Sequence, residues 1–172
     1  MNTLAPQAPP AALKLSHQLA DLLLRKQLRL VTAESCTGGM IAAACTDLAG
    51  SSAWFERGFV TYSNEAKTEL LNVDTRLLER AGAVCQRVAR AMVKGALTHS
   101  KAQVAVAVTG VAGPTGGSSA KPVGTVWFGF ATPGQVVTEK CLFLGDRAAV
   151  RAATVQHAFT RLVNLLGAER EG

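Results

Sequence analysis

The apolar positions of this chain recur at two periods, and the switches between them mark out the elements. Leu15, Leu19, Leu22 and Leu23 stand at i, i+4, i+7 and i+8, one stripe of a helix with a side against a core. Leu28 to Ala33 is a short apolar run that reads as a buried strand. Met40 to Leu48 returns to helical character, with Gly50 as its expected stop. Phe55 to Tyr62 reads as a second strand. Ser63 or Asn64 can cap a short helix carrying Lys67, Leu70 and Leu71, and a further helical turn follows Asp74-Thr75. Val88, Ala91, Met92, Gly95 and Ala96 mark another helix, and Gln103 to Thr109, an alternating Val/Ala run, a buried strand. Val123 to Ala131 and Val136 to Leu144 flank Thr132-Pro133-Gly134-Gln135 and predict a hairpin. Asp146 can cap a last helix with Val150, Ala153, Ala158, Leu162 and Leu165 facing inward. Strands and helices alternate early and the hairpin comes late. The pattern predicts an α/β fold, with helices on both faces of a mixed sheet.

Length and composition agree with that picture. The chain has 172 residues, 48% of them apolar and 17% charged, which suits one globular domain over residues 13–172. Residues 1–12, rich in Pro and Ala, read as a frayed tail; they lack the basic start and apolar run of a signal peptide. No apolar run reaches the length of a membrane span. The four cysteines form no CxxC pair and no zinc spacing with histidine, so reduced thiols, a cytoplasmic location and no metal site are expected. The net charge of +6 fits a solvated basic surface or attraction to a small anion. Arg76, Arg80, Arg87, Arg90 and Lys94 are not interleaved with aromatics, which argues against nucleic acid as a partner.

Four segments carry candidate chemistry. Glu34-Ser35-Cys36-Thr37-Gly38-Gly39 lies where a strand ends and a helix begins. Ligands of open α/β sheets collect there, and backbone N–H groups at a helix start can hold an oxyanion or a phosphate. The plainer reading makes Ser35 or Thr37 a helix cap. Ser35 and Cys36 are both possible nucleophiles, and extended backbone would point only one of them into a site. Tyr62-Ser63-Asn64-Glu65-Ala66-Lys67 offers an amine that, unprotonated, could activate a serine. Its place in the first turn of a helix would lower its pKa through the macrodipole; an ordinary solvated lysine is the alternative. The glycine-rich loop from Thr109 to Ser119 is either a close approach to a ligand or a flexible turn. In Gly145-Asp146-Arg147, Arg147 could clamp a phosphate or carboxylate. His17, His99 and His157 are isolated and make no catalytic spacing.

These segments together resemble one family. Thr32-Ala33-Glu34-Ser35-Cys36-Thr37-Gly38-Gly39 is similar to the signature of the CinA C-terminal domain family. The likeness continues from Gly50 through Trp54, Gly58 and Tyr62 to Lys67, resumes at Gly110-Val111-Ala112-Gly113-Pro114, Gly116-Gly117 and Lys121 to Trp127, and closes at Gly145-Asp146-Arg147. It spans roughly residues 13–166. The resemblance implies a three-layer α/β/α sandwich with a mixed central sheet. It also implies an amidohydrolase that converts nicotinamide mononucleotide to nicotinic acid mononucleotide and ammonia without a cofactor. Ser35 would be the nucleophile, Lys67 its base and Tyr62 a further catalytic residue. Glu34, Cys36, Thr37, Gly38, Gly39, Asn64, Thr109, Gly113 and Arg147 would lie at the substrate. A homo-oligomer, with a dimer favoured, is implied as well. Cys85-Gln86-Arg87 departs from the Ser-Glu-Pro common in relatives, and the nucleotide-processing domain that precedes this module in full-length CinA proteins is not expected. A non-catalytic nucleotide-binding regulatory module of the same fold is the alternative reading.

Overall fold

The computed structural model describes residues 10–168. The expected tail lies outside the described residues as far as residue 9; from Pro10 the chain is helical, so residues 10–12 join the first helix instead. In chain order the elements are α1 (Pro10–Lys26), β1 (Leu30–Glu34), α2 (Met40–Thr46), a 3-10 turn (Ser51–Ala53), β2 (Phe55–Val60), α3 (Asn64–Leu71), α4 (Thr75–Ala81), α5 (Gln86–Thr98), β3 (Val104–Gly110), β4 (Thr125–Thr132), β5 (Gln135–Leu142) and α6 (Arg147–Ala168). None of the described helices is long and apolar enough to cross a membrane.

The strands form one sheet in the order β2-β1-β3-β4-β5. β1 runs parallel to β2 and β3, while β4 pairs antiparallel with β3 and β5. Leu30, Val104, Val106, Val108, Val126, Phe128 and Phe130 face α1, α2 and α6. Val31, Ala33, Ala105, Ala107 and Ala131 face α5, with α3 and α4 beyond it. The Val/Ala alternation of β3 thus has a direction: the larger residues fill the α1–α6 side, and the smaller ones let α5 settle against the sheet. A Cβ at Gly129 of β4 would lie 2.5 Å from the Ala89 carbonyl oxygen of α5.

The strand order switches sides about β1, with β2 added on one flank and β3 on the other, all three parallel. The path from β1 to β2 passes through α2 on one face, and the path from β2 to β3 passes through α3, α4 and α5 on the other. The carboxyl ends of β1 and β3 therefore flank a crevice at a topological switch point, the usual place for a ligand in such sheets.

Some boundaries differ from the sequence pattern. Gly50 does not end α2, which stops at Thr46; its φ of 80° instead begins the 3-10 turn. Strand β2 ends at Val60, so Tyr62 stands beyond it. In α6, Ala153 and Leu165 are only half-buried, and the inward row is Val150, Thr154, Ala158, Leu162 and Leu166 with Val155 and Phe159.

Helix α5 is held just as closely on its other flank. A Cβ at Gly95 would fall 2.1 Å from the Leu71 carbonyl oxygen, at the end of α3. Helix propensity alone would make Gly95→Ala stabilising by about 1 kcal/mol. The clash outweighs that gain, and the variant should lose about 1–3 kcal/mol in urea denaturation.

Candidate active site

Ser35 follows β1 directly, and its N–H donates to Val108 O at 3.1 Å, which carries the β1–β3 pairing one residue further. The side chain lies in a cavity of about 220 Å³ between the ends of β1 and β3. Cys36, Tyr62, Lys67, Ala83, Val84, Thr109, Gly110, Ala112 and Arg147 complete its lining.

Lys67 enters from α3. The cap of that helix is Ser63, whose extended backbone directs its hydroxyl to accept from Ala66 N at 3.0 Å. One turn later the Lys67 side chain is 1% exposed. Its Nζ lies 3.0 Å from Ser35 Oγ, 2.8 Å from Thr61 O, 3.2 Å from Tyr62 O and 3.4 Å from Ser63 O. Among the described residues no carboxylate pairs with it. Burial lowers its pKa from 10.5 to about 8, and the Glu65 carboxylate opposes that shift. The direction is the one expected from the sequence, but desolvation rather than the helix dipole is the cause. A neutral amine has two hydrogens for the nearer carbonyls, Thr61 O and Tyr62 O, and a lone pair for the Ser35 hydroxyl, leaving Ser63 O the most distant of the four.

The turn after Ser35 is held from two sides. On the inside, the fully buried Glu34 carboxylate accepts four hydrogen bonds: Thr37 Oγ1 at 2.6 Å, Gly39 N at 3.1 Å, Ile41 N at 3.0 Å and Ala42 N at 2.8 Å. Glu34 thereby caps α2 from a distance, and its oxygens are taken up by the protein. On the outside, Arg151 of α6 donates from Nε to Cys36 O at 3.2 Å and from Nη2 to Thr37 O at 3.0 Å. Gly38, with φ 60°, and Gly39, with φ 101°, adopt the left-handed conformations that this turn needs.

This bonding narrows which N–H groups of the turn are free to meet an oxyanion. The sequence pointed to the N–H groups from Cys36 to Gly39. Gly39 N is spent on Glu34 and Gly38 N on Ser35 O, at 3.1 Å. Among the described residues Thr37 N is left without a protein acceptor, and Cys36 N has none beyond its own thiol sulfur. The Cys36 thiol is buried, and desolvation raises its pKa to about 11.

The remaining predicted residues fall in three places. Tyr62 is 62% exposed at the cavity mouth, where its hydroxyl accepts from Arg147 Nη2 at 3.2 Å. Arg147 Nη1 donates to Gly113 O at 2.9 Å. Gly113, with φ 80°, is packed so closely that a Cβ would meet Val123 Cγ1 at 2.4 Å. Thr109 lines the cavity and donates its hydroxyl to Ala83 O at 2.9 Å. Asn64 is not brought to this cavity. It is exposed at the start of α3, on a separate depression with Glu65, Thr68, Glu69, Thr75, Leu78 and Glu79.

Sequence reasoning missed Arg151 and the segment Ala83-Val84. Arg151 stands four residues after Arg147, so a helical reading of Gly145-Asp146-Arg147 onward would have put both on one face. Ala83-Val84 directly precedes the divergent Cys85-Gln86-Arg87. There Cys85 occupies the cap position of α5 without making a side-chain cap bond, and Gln86 Nε2 donates to Thr138 Oγ1 at 2.9 Å. That stretch forms the start of α5 and contributes no residue to the lining of the Ser35 cavity. No group of three or more His, Cys, Asp or Glu residues is placed to hold a metal among the described residues.

Known proteins share this arrangement of chain. The CinA C-terminal domain model matches residues 12–166. Nicotinamide-nucleotide amidohydrolase PncC of Enterobacter agglomerans is 58% identical over 139 residues, 80% of this chain and 85% of that one. The protein of the same name from Escherichia coli K12 is 50% identical over 151 residues, 87% of this chain and 92% of that one. The crystal structure of competence/damage inducible protein CihA from Agrobacterium tumefaciens superposes with a TM-score of 0.90 at 44% identity, over 94% of this chain and 99% of that one. With its mixed sheet, its Ser35 turn and this extent of likeness, the chain belongs to the CinA C-terminal domain family.

Proposed function

We propose that the chain hydrolyses the carboxamide of nicotinamide mononucleotide to give nicotinic acid mononucleotide and ammonia, with Ser35 as nucleophile and Lys67 as base. The relatives named as nicotinamide-nucleotide amidohydrolases, at 50–58% identity, support the substrate class. One observation carries the mechanism: a fully buried amine, with no carboxylate partner among the described residues, sits 3.0 Å from a serine hydroxyl that lines the same cavity. A lysine kept out of water in this way serves as a base near neutrality.

In the proposed reaction Ser35 Oγ attacks the carboxamide carbon while its proton passes to neutral Lys67. The carbonyl oxygen becomes an oxyanion, held by Cys36 N–H and Thr37 N–H. Lys67, now charged, returns the proton to the amide nitrogen as the C–N bond breaks, and ammonia leaves. Water then attacks the acyl ester, again giving its proton to Lys67. Ser35 Oγ departs with that proton, and the carboxylic acid left behind gives its own proton to the released ammonia, leaving nicotinic acid mononucleotide as the carboxylate. Glu34 acts on the turn rather than on the substrate, because its oxygens are already bonded. Tyr62 and Arg147 close the mouth and orient the nucleotide.

Ammonia release from nicotinamide mononucleotide tests the assignment. Ser35→Ala and Lys67→Ala should each lose at least about a thousandfold in kcat while still binding the substrate. Full activity in either variant removes that residue from the reaction. Binding without turnover by the unmodified chain would favour a regulatory module.

Lys67 is active without its proton and its pKa lies at about 8. Therefore kcat/KM should fall about tenfold per unit below pH 8 and level off above it. A flat profile between pH 6.5 and 9.5 would contradict an amine base.

Cys36 serves as the control for the nucleophile. With its thiol at about 11 and buried, iodoacetamide at pH 7.5 should leave it unlabelled in the folded chain and label it after denaturation, as read by peptide mass mapping.

A further inference from the structure

The 220 Å³ cavity around Ser35 is not the largest at this end of the sheet. A second cavity, of about 620 Å³, is lined by Pro114, Val123, Gly145, Asp146, Arg147, Ala148 and Arg151. The two meet at Arg147, which lines both. A nucleotide whose carboxamide reaches Ser35 must put its phosphate somewhere outside the smaller cavity. The larger one presents two guanidinium groups, and the Asp146 carboxylate on its rim is already engaged by Ala149 N at 2.8 Å.

Arg151 differs from Arg147 in what else it holds. Its Nε and Nη2 grip the carbonyls of Cys36 and Thr37, and no protein acceptor takes Nη1 among the described residues. In a trans peptide the C=O and the following N–H point in opposite directions. With Cys36 O drawn toward Arg151, the Thr37 N–H is turned to the opposite side, and it is one of the two donors left for an oxyanion. A single side chain therefore lines the cavity suited to the phosphate and sets a peptide of the catalytic turn.

Resting on the function proposed above, we propose that Arg151 is a positioning residue that couples the nucleotide's phosphate to the oxyanion-binding turn, so that phosphate binding raises kcat and not affinity alone. Contact of a phosphate oxygen with the guanidinium fixes its plane, and with it the Cys36–Thr37 peptide. Binding energy from a part of the substrate that does not react is thereby used at the reacting carbon.

The test compares nicotinamide mononucleotide with nicotinamide riboside, the same molecule without phosphate, on the full chain. Arg151→Met should lower kcat at saturating mononucleotide about a hundredfold, the low end of the range for removing an oxyanion donor, because the donor is displaced and not deleted. It should lower riboside turnover by a factor at least about ten times smaller. Added phosphite should raise riboside turnover by the unmodified chain and not by Arg151→Met. Arg151→Lys keeps a charge but not the two-carbonyl grip, so it should bind mononucleotide with little change in KM and still lose kcat; it replaces the methionine variant if that one fails to fold. Arg161→Met, which only releases Glu139 further along α6, should keep kcat. A raised KM with unchanged kcat in the Arg151 variants, an equal loss on both substrates, or phosphite activation that survives without the arginine would each overturn the inference. If the unmodified chain releases no ammonia from mononucleotide, it is the proposed function that has failed.

Discussion

Everything at the site depends on an amine kept out of water beside a hydroxyl. Burial holds Lys67 at about 8 against an ordinary 10.5, a penalty on the order of 3 kcal/mol for charging it. The folded pKa lies below the unfolded one. Below pH 8 both states carry the proton and the full penalty weighs on the fold. Between about 8 and 10.5 the unfolded chain holds the extra proton, and stability from this group rises with pH. A carboxylate partner would remove the penalty, yet it would also restore the charge and silence the base. Three backbone carbonyls in place of an acid keep the amine anchored and still able to lose its proton.

Such a group can be afforded only on a rigid frame. The switch in strand order about β1 opens the crevice, and the β1–β3 pairing fixes the start of the Ser35 turn to one hydrogen bond. From there Glu34 controls the N–H side of the turn and Arg151 the carbonyl side. A carboxylate satisfied by backbone and hydroxyl donors is consistent with full burial, where an unpaired one would not survive. Small residues do the rest: the alanines of β3 and Gly129 bring α5 down on the sheet, and α5 carries α3, and hence Lys67, against its neighbours.

Much of this was legible in the chain itself. The strands, the hairpin and the caps at Ser63 and Asp146 follow from periodicity and local hydrogen bonding, which short segments determine alone. The order of the strands and the pairing of Ser35 with Lys67 do not, because they depend on contacts 32 residues apart. The motif resemblance suggested that pairing without its physical cause, and composition would have left Lys67 in solvent. Glu34 and Asn64 show the limit from the other direction. Both sit inside recognisable motifs, yet Glu34 spends its oxygens on α2 and Asn64 faces a different depression. A motif marks a neighbourhood; the direction of each side chain is settled by the packing around it. Arg151 escaped notice for the same reason, since nothing local shows that a helix 115 residues away lies over Cys36.

The turn also explains why serine rather than its neighbouring thiol is suited to react. Cysteine is intrinsically the better nucleophile, but only as thiolate. At Cys36 burial raises the thiol to about 11, three units above the amine at about 8. Across the range in which Lys67 gains and loses its proton, the thiol stays neutral. Serine needs no prior ionisation, because its proton can leave as the new bond forms, provided an unprotonated amine is already within hydrogen-bond reach. The same desolvation thus acts oppositely on two adjacent positions. It holds the amine nearer its neutral, basic form and the thiol in its unreactive one, so under the proposed mechanism the dielectric around the turn favours Ser35 over Cys36 as nucleophile.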